Sequence, residues 1–133
     1  MTPADRIRDH LVSQGLVTSG VTPGSAWVCL VGGLSDALAA PQVAVLDTGG
    51  IYPFESHNST PPTRPGIQLL LRGTPGTYAA TASKARAIWS ALRAASPTGI
   101  MLVTPTTSPI WLGMDDQNRP GWSMNFLTIT KET

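Results

Sequence analysis

The sequence predicts an α+β fold: a largely antiparallel sheet of four to five strands packed against one long helix, with a short N-terminal helix. Three observations lead there. Ile67-Gln68-Leu69-Leu70-Leu71-Arg72 and Trp122-Ser123-Met124-Asn125-Phe126 alternate with the period of two that strands show. Residues 77–95 instead carry an apolar stripe at helical spacing. The element order is helix, two strands, long loop, strand, helix, two strands, which suits an antiparallel sheet better than repeated βαβ units.

Each element has a local reason. Thr2-Pro3-Ala4-Asp5 starts a helix over 3–14: Thr2 can cap, Pro3 fits the first position, and Asp5 complements the positive helix end. Ile7 and Leu11 share its apolar face, and Gly15 is a stop. Residues 18–25 are turn-formers. Ala26-Trp27-Val28-Cys29-Leu30-Val31 reads as a strand buried on both faces. Gln42-Val43-Ala44-Val45-Leu46 is a second strand, ended by Asp47-Thr48-Gly49-Gly50. In that turn Gly49 and Gly50 are expected to supply backbone geometry, and Asp47 to accept hydrogen bonds from turn amides.

A loop from about 48 to 65 follows and holds Pro53, Pro61, Pro62 and Pro65. Loops of this length are usually functional or disordered. Here an assembly element is expected, with few large apolar residues beyond Ile51, Tyr52 and Phe54. In the long helix, Tyr78, Ala82, Ala85, Ile88, Trp89 and Leu92 form the stripe. Gly99 to Thr104 is a further strand, whose continuation Pro105 and Pro109 make irregular or an edge. Asp116 to Gly121 is a turn. The last strand covers about 122–130. It is expected to bury Trp122, Met124 and Phe126 against the long helix, near Trp89, with Ser123 and Asn125 facing away.

The chain has 133 residues, enough for a single domain over 1–133 with one core. Charged residues are 13% against about 25% in an average domain. The formal net charge of +1, without a Lys/Arg cluster, argues against extended nucleic-acid binding. A single cysteine, Cys29, excludes an internal disulfide framework and a Cys-rich zinc site. No run reaches the ~18 apolar residues of a membrane helix, and the polar N-terminus is unlike a signal peptide. A protein made in the cytosol is therefore expected. His10 and His57 have no spaced second ligand, so no metal or cofactor is expected. Asp115-Asp116 with Asn118 reads as a solvated turn.

One enzyme pattern has to be weighed. Val45-Leu46-Asp47-Thr48-Gly49 matches the hydrophobic-hydrophobic-Asp-Thr-Gly of aspartic proteases, and Ile110-Trp111-Leu112-Gly113 resembles a later motif of retroviral-type members. Two Asp47 copies would share a proton across a dimer axis. The 77–95 helix is out of place in that all-β fold.

A second pattern fits better. Its parts are Asp47-Thr48-Gly49-Gly50 with Pro53, then Pro65-Gly66-Ile67-Gln68 to Arg72-Gly73, then the Ala-rich helix with Ala82, Ala85, Ile88-Trp89 and Leu92. Pro109-Ile110-Trp111-Leu112-Gly113-Met114-Asp115, Arg119 and Ser123-Met124-Asn125-Phe126 complete it. In this ordered series the sequence resembles the minor capsid and tail-terminator family of long-tailed bacteriophages. The resemblance implies a structural virion protein rather than an enzyme. It implies a homo-oligomeric ring, commonly a hexamer, that caps the tail tube protein and joins it to head-completion or stopper proteins at the neck. DNA would pass through the lumen without sequence-specific binding, and no membrane is involved. The implied location is the virion tail, with host cytoplasm during assembly. Another head–tail connector, stopper or tail-tube protein is the alternative within the same class.

A ring needs two different faces on each subunit. The long loop and the exposed sheet edges are the candidate faces. Tyr52, Phe54, Glu55, His57, Arg64, Arg72, Arg119 and Asn125 are the candidate contact residues.

Overall fold

The computed structural model describes residues 2–19, 27–35, 40–49, 64–93, 95–100 and 102–130. In chain order the elements are α1 (Pro3–Ser13), β1 (Val28–Val31), β2 (Gln42–Asp47), β3 (Gly66–Arg72), α2 (Tyr78–Leu92), β4 (Leu102–Pro105), β5 (Ile110–Met114) and β6 (Pro120–Ile129). The α+β class holds. The sheet, however, has six strands and is mixed, and two helices pack on it.

The strand order is β1-β2-β3-β6-β4, and β5 also pairs with β6. β1 lies parallel to β2, while every other pair is antiparallel. The parallel pair departs from the expected antiparallel pattern. It arises because the chain between Val31 and Gln42 returns to the starting end of the sheet instead of closing a hairpin. β6 is long enough to take two partners along one side. β4 pairs with its C-terminal half and β5 with its N-terminal half.

α1 begins where its capping residues require. The Thr2 hydroxyl accepts from the Asp5 amide at 3.3 Å, and the Asp5 carboxylate accepts from the Thr2 amide at 2.9 Å. Both orphan donors are thereby satisfied. These hydrogen bonds from Thr2 hold the Asp5 carboxyl below its usual value. Ala4, Ile7 and Leu11 then turn inward, all fully buried.

Alternation places one face of the sheet under both helices. Across that face run the rows Cys29-Val43-Leu71-Trp122 and Val45-Leu69-Met124, with Ile67 beside Phe126. These side chains join α1 and the α2 residues Ala85, Ile88 and Leu92 in one core. Met124 and Phe126 are buried there as expected, and Trp122 and Trp89 pack against its edge. Burial pushes the Cys29 thiol up to about 12, so it behaves as an inert apolar group.

The α2 stripe differs from the one expected. Thr81, Ala85, Ile88 and Leu92 are its buried residues. Tyr78 is 48% exposed. Thr81 tolerates burial because its hydroxyl pairs with that of Thr77 at 3.3 Å.

Candidate functional site

The second face of the sheet carries no helix among the described residues. Leu30, Ala44, Leu70, Ser123 and Ile110 form one row across it, and Leu46, Gln68 and Asn125 the next. Ser123 does face away from the helices, but it is buried between Leu70 and Ile110 rather than open. Near the β1–β2 end this face is crossed by the chain at Ser35. The buried Gln42 amide accepts from the Ser35 amide at 2.8 Å and donates to its carbonyl at 2.7 Å. Arg72 donates to the same carbonyl at 2.9 Å.

The sheet ends on β4 and β5, and its last stretch is apolar and open. Seven large apolar side chains are exposed among the described residues. Five of them, Leu102, Ile110, Trp111, Leu112 and Met114, belong to β4 or β5. Tyr78 is a sixth. Its ring meets Trp111 edge-on at 5.0 Å, and Trp111 lies 5.3 Å from Trp122. On the other side of β5, Leu112 and Met114 border a groove of about 310 Å³ with Leu34, Leu70 and Arg119. No charged residue occurs from Ala94 to Met114.

β5 is shaped by its two ends. The register on β6 shifts between Trp111 and Gly113, where Gly113 takes a φ of +93°. A bulge there needs a glycine and twists the strand. Beyond Met114 the hairpin is tied by Asp115. Its Oδ1 accepts from the Gln117 and Arg119 amides, both at 2.9 Å, and its Oδ2 accepts from Arg119 Nε at 2.7 Å. The Arg119 amide, aided by its guanidinium and the Gln117 amide, holds the Asp115 carboxyl below its usual value. At the β4 end, Trp89 Nε1 donates to the Thr107 carbonyl at 3.0 Å and pins the irregular link between β4 and β5.

Of the predicted contact residues, Arg72 and Arg119 line the groove beside Leu112 and Met114. Arg119 is half-buried and braces the hairpin, and Arg72 is half-buried against Ser35. The Asn125 carbonyl takes the amide and the hydroxyl of Thr106, and its side chain lies on the helix-free face. Arg64 is exposed, ahead of β3. Tyr52, Phe54, Glu55, His57 and Gly50 lie outside the described residues, as does most of the 48–65 loop.

Asp47 and Gly49 are described. Gly49 has a φ of +75°, the left-handed conformation expected of this turn. Asp47 Oδ1 accepts from the Ala4 amide in the first turn of α1, at 3.1 Å. The carboxylate thus serves a backbone amide 43 residues away; the turn amides from Gly50 onward lie outside the described residues. An anionic oxygen at a helix N-terminus is favourable.

The fold is that of a small α+β protein with both helices on one face of the sheet and an exposed apolar strand at its end. The chain belongs to the bacteriophage tail terminator protein family, whose sequence model matches residues 10–132. No curated protein matches the chain. Membership makes it a structural component of the phage tail.

The stretch Ile110 to Met114, a motif in the sequence, is a strand in the structure. The signal was present, since a run without charge between two prolines and a turn is itself unusual for exposed chain.

Proposed function

We propose that the protein is the subunit of a closed homo-oligomeric ring that ends the tail tube. The family's structural role supports this. The ring would seat on the last layer of tail tube protein and present its other side to head-completion or stopper proteins at the neck. A hexamer is the stoichiometry the family resemblance implies. DNA would cross the lumen without base-specific contacts. Assembly would take place in the host cytoplasm, and the mature location would be the virion.

The observation that carries the reading is the β5 edge. Natural proteins protect exposed strand edges with charge, proline or bulges. Here Pro105 and Pro109 flank the link between β4 and β5 and a bulge lies at Gly113, yet β5 still presents Ile110, Trp111, Leu112 and Met114 to solvent without a charge. Such a surface suits a protein whose edge is covered in its working state. The function is then binding, with affinity drawn from apolar burial and strand pairing.

Light scattering over a wide concentration range, alone and with terminator-free tail tubes, tests the reading. Association in either setting is expected. A strict monomer that binds neither tubes nor neck proteins would overturn it.

A further inference from the structure

The sheet has a second edge, and it matches the first. β1 lies at the opposite end of the strand order from β5. Among the described residues its outer side is bridged only near its start, by Thr18. There the Thr18 carbonyl accepts from the Cys29 amide at 2.8 Å. Past that point Val31 is 39% exposed, the one remaining large apolar side chain in that state. From Leu11 to Ser35 the chain again carries no charged residue. The two ends of the sheet are thus both uncharged, and between them they hold six of the seven exposed large apolar side chains, Tyr78 being the other.

Strand directions decide how two such edges can meet. β2 runs with β1, β3 runs against β2, β6 against β3, and β5 against β6. β5 and β1 therefore point in opposite directions. When one copy is set beside another with its sheet facing the same way, β5 of the first lies antiparallel to β1 of the second. Antiparallel pairing is the slightly more stable geometry per residue. The contact is heterologous, since each copy uses one edge to give and the other to receive, and repetition closes a ring when the rotation allows. Pairing β5 with β5 would instead make a two-fold dimer and consume the edge.

We propose that the β5 edge of one copy is covered by the β1 edge of the next, so that the sheet continues from subunit to subunit. This rests on the ring reading above and specifies its lateral contact. The occupant is a second copy of this chain, because that chain carries an edge of the matching polarity and the matching lack of charge. β5 itself carries no charge, and the Arg72, Asp115 and Arg119 side chains that line the groove beside it are engaged within the chain.

Crosslinking tests it on the intact protein. Leu30→Cys, on the same face as Leu70, and Leu112→Cys are combined, and the protein is treated with a short bis-maleimide at neutral pH. Cys29 is buried with its thiol pushed up to about 12, so wild type serves as an unreactive control. The double variant is expected to give a ladder extending beyond dimer, and each single variant none. Dimers from Leu112→Cys alone would show a two-fold β5 contact and overturn the proposal. Rings seen by light scattering without a ladder would place the lateral contact elsewhere and overturn it, leaving the ring reading intact. A wild-type protein that stays monomeric alone and on tail tubes would remove both. In parallel, Leu112→Lys should keep the wild-type thermal midpoint while losing the ring. Persistence of the ring in that variant would also overturn the proposal.

Discussion

β4 and β5 pair with the same side of the same strand, yet they live in different environments. On β4, Val103 is fully buried while Leu102 and Thr104 face outward, the alternation of a strand with a helix on one side. On β5 every residue but Gly113 is exposed. The cause is the reach of α2. It packs on β3, β4 and β6, and its first residue, Tyr78, meets β5 at the Trp111 ring. Composition hardly distinguishes the two strands, since both are uncharged and largely apolar. Apolar sequence therefore specifies burial without saying whether the cover comes from the same chain or from another.

Breaking the covered region should have the largest effect. Phe126 is 2% exposed beside Ile67, within the core under the helices. Phe126→Ala should cost about 3–5 kcal/mol, a large share of the ~5–15 kcal/mol available to a small domain. Little soluble protein is expected, and urea unfolding of what remains should show the loss. An unchanged midpoint would mean that β6 presents its other face to the helices.

The uncovered region should answer in the opposite way. Leu112 is 57% exposed, so Leu112→Lys should change stability by less than about 0.5 kcal/mol. Assembly should weaken by about tenfold or more, the equivalent of a lost apolar side chain at a contact. Sedimentation and thermal unfolding, measured on the same sample, separate the two effects. A destabilised monomer would show that β5 belongs to the core after all.

How much of this was legible follows the distance over which each signal acts. The start of α1 is written in Thr2, Pro3 and Asp5, three neighbours that settle it locally. The inward face of β6 follows from strict alternation. The parallel pairing of β1 and β2 has no local signature, because a continuous apolar run does not encode its partner. β5 escaped because Ile110, Trp111 and Leu112 are consecutive exposed apolars, with no alternation to read, and Pro109 looked like an interruption. Tyr78 was assigned to the core by its spacing, but the stripe turns toward Thr81, a polar residue that only its Thr77 partner makes acceptable there. Four of the eight contact residues, those at 52–57, fall outside the described residues, and the apolar edge at 110–114 reads in the sequence as a motif rather than as a strand.

Asp47 offers a smaller test, at the end of the covered region. It joins β2 to α1 through the Ala4 amide. Asp47→Ala should cost about 0.5–2 kcal/mol, as loss of a helix N-terminal acceptor does. Asp47→Asn should cost less, because an amide oxygen still accepts, although the charge that favours the helix end is gone. Chemical denaturation of the two variants against wild type checks the order. Equal losses would mean that charge, not hydrogen bonding, is what the helix end requires. The same variant bears on the protease pattern: acid-pH peptide cleavage abolished by Asp47→Asn would show Asp47 acting as a catalytic group.

The smallest effect is expected from the hairpin that carries β5. Asp115 has its carboxyl held below the usual value, first by the Arg119 amide. A carboxyl whose folded pKa is depressed stabilises the fold above its unfolded value, near pH ~4. That contribution is lost as pH falls through the folded value, when the protonated oxygen no longer accepts as strongly. Asp5 shifts in the same direction at the start of α1, so wild type should lose stability from both sites in acid. Asp115→Asn removes one of them. Its difference from wild type should be clear at pH ~7 and shrink below pH ~4, and the change should be confined to the hairpin. Amide exchange of Gln117 and Arg119 reads this directly, because their N–H groups donate to Asp115. Lower protection of those two amides in acid, relative to their intrinsic exchange at the same pH, with the protection of the β4 amide of Val103 unchanged, is the expected result. Equal loss of protection at Val103 would mean that β4 and β5 open together, and that the hairpin is not an independent element presented at the end of the sheet.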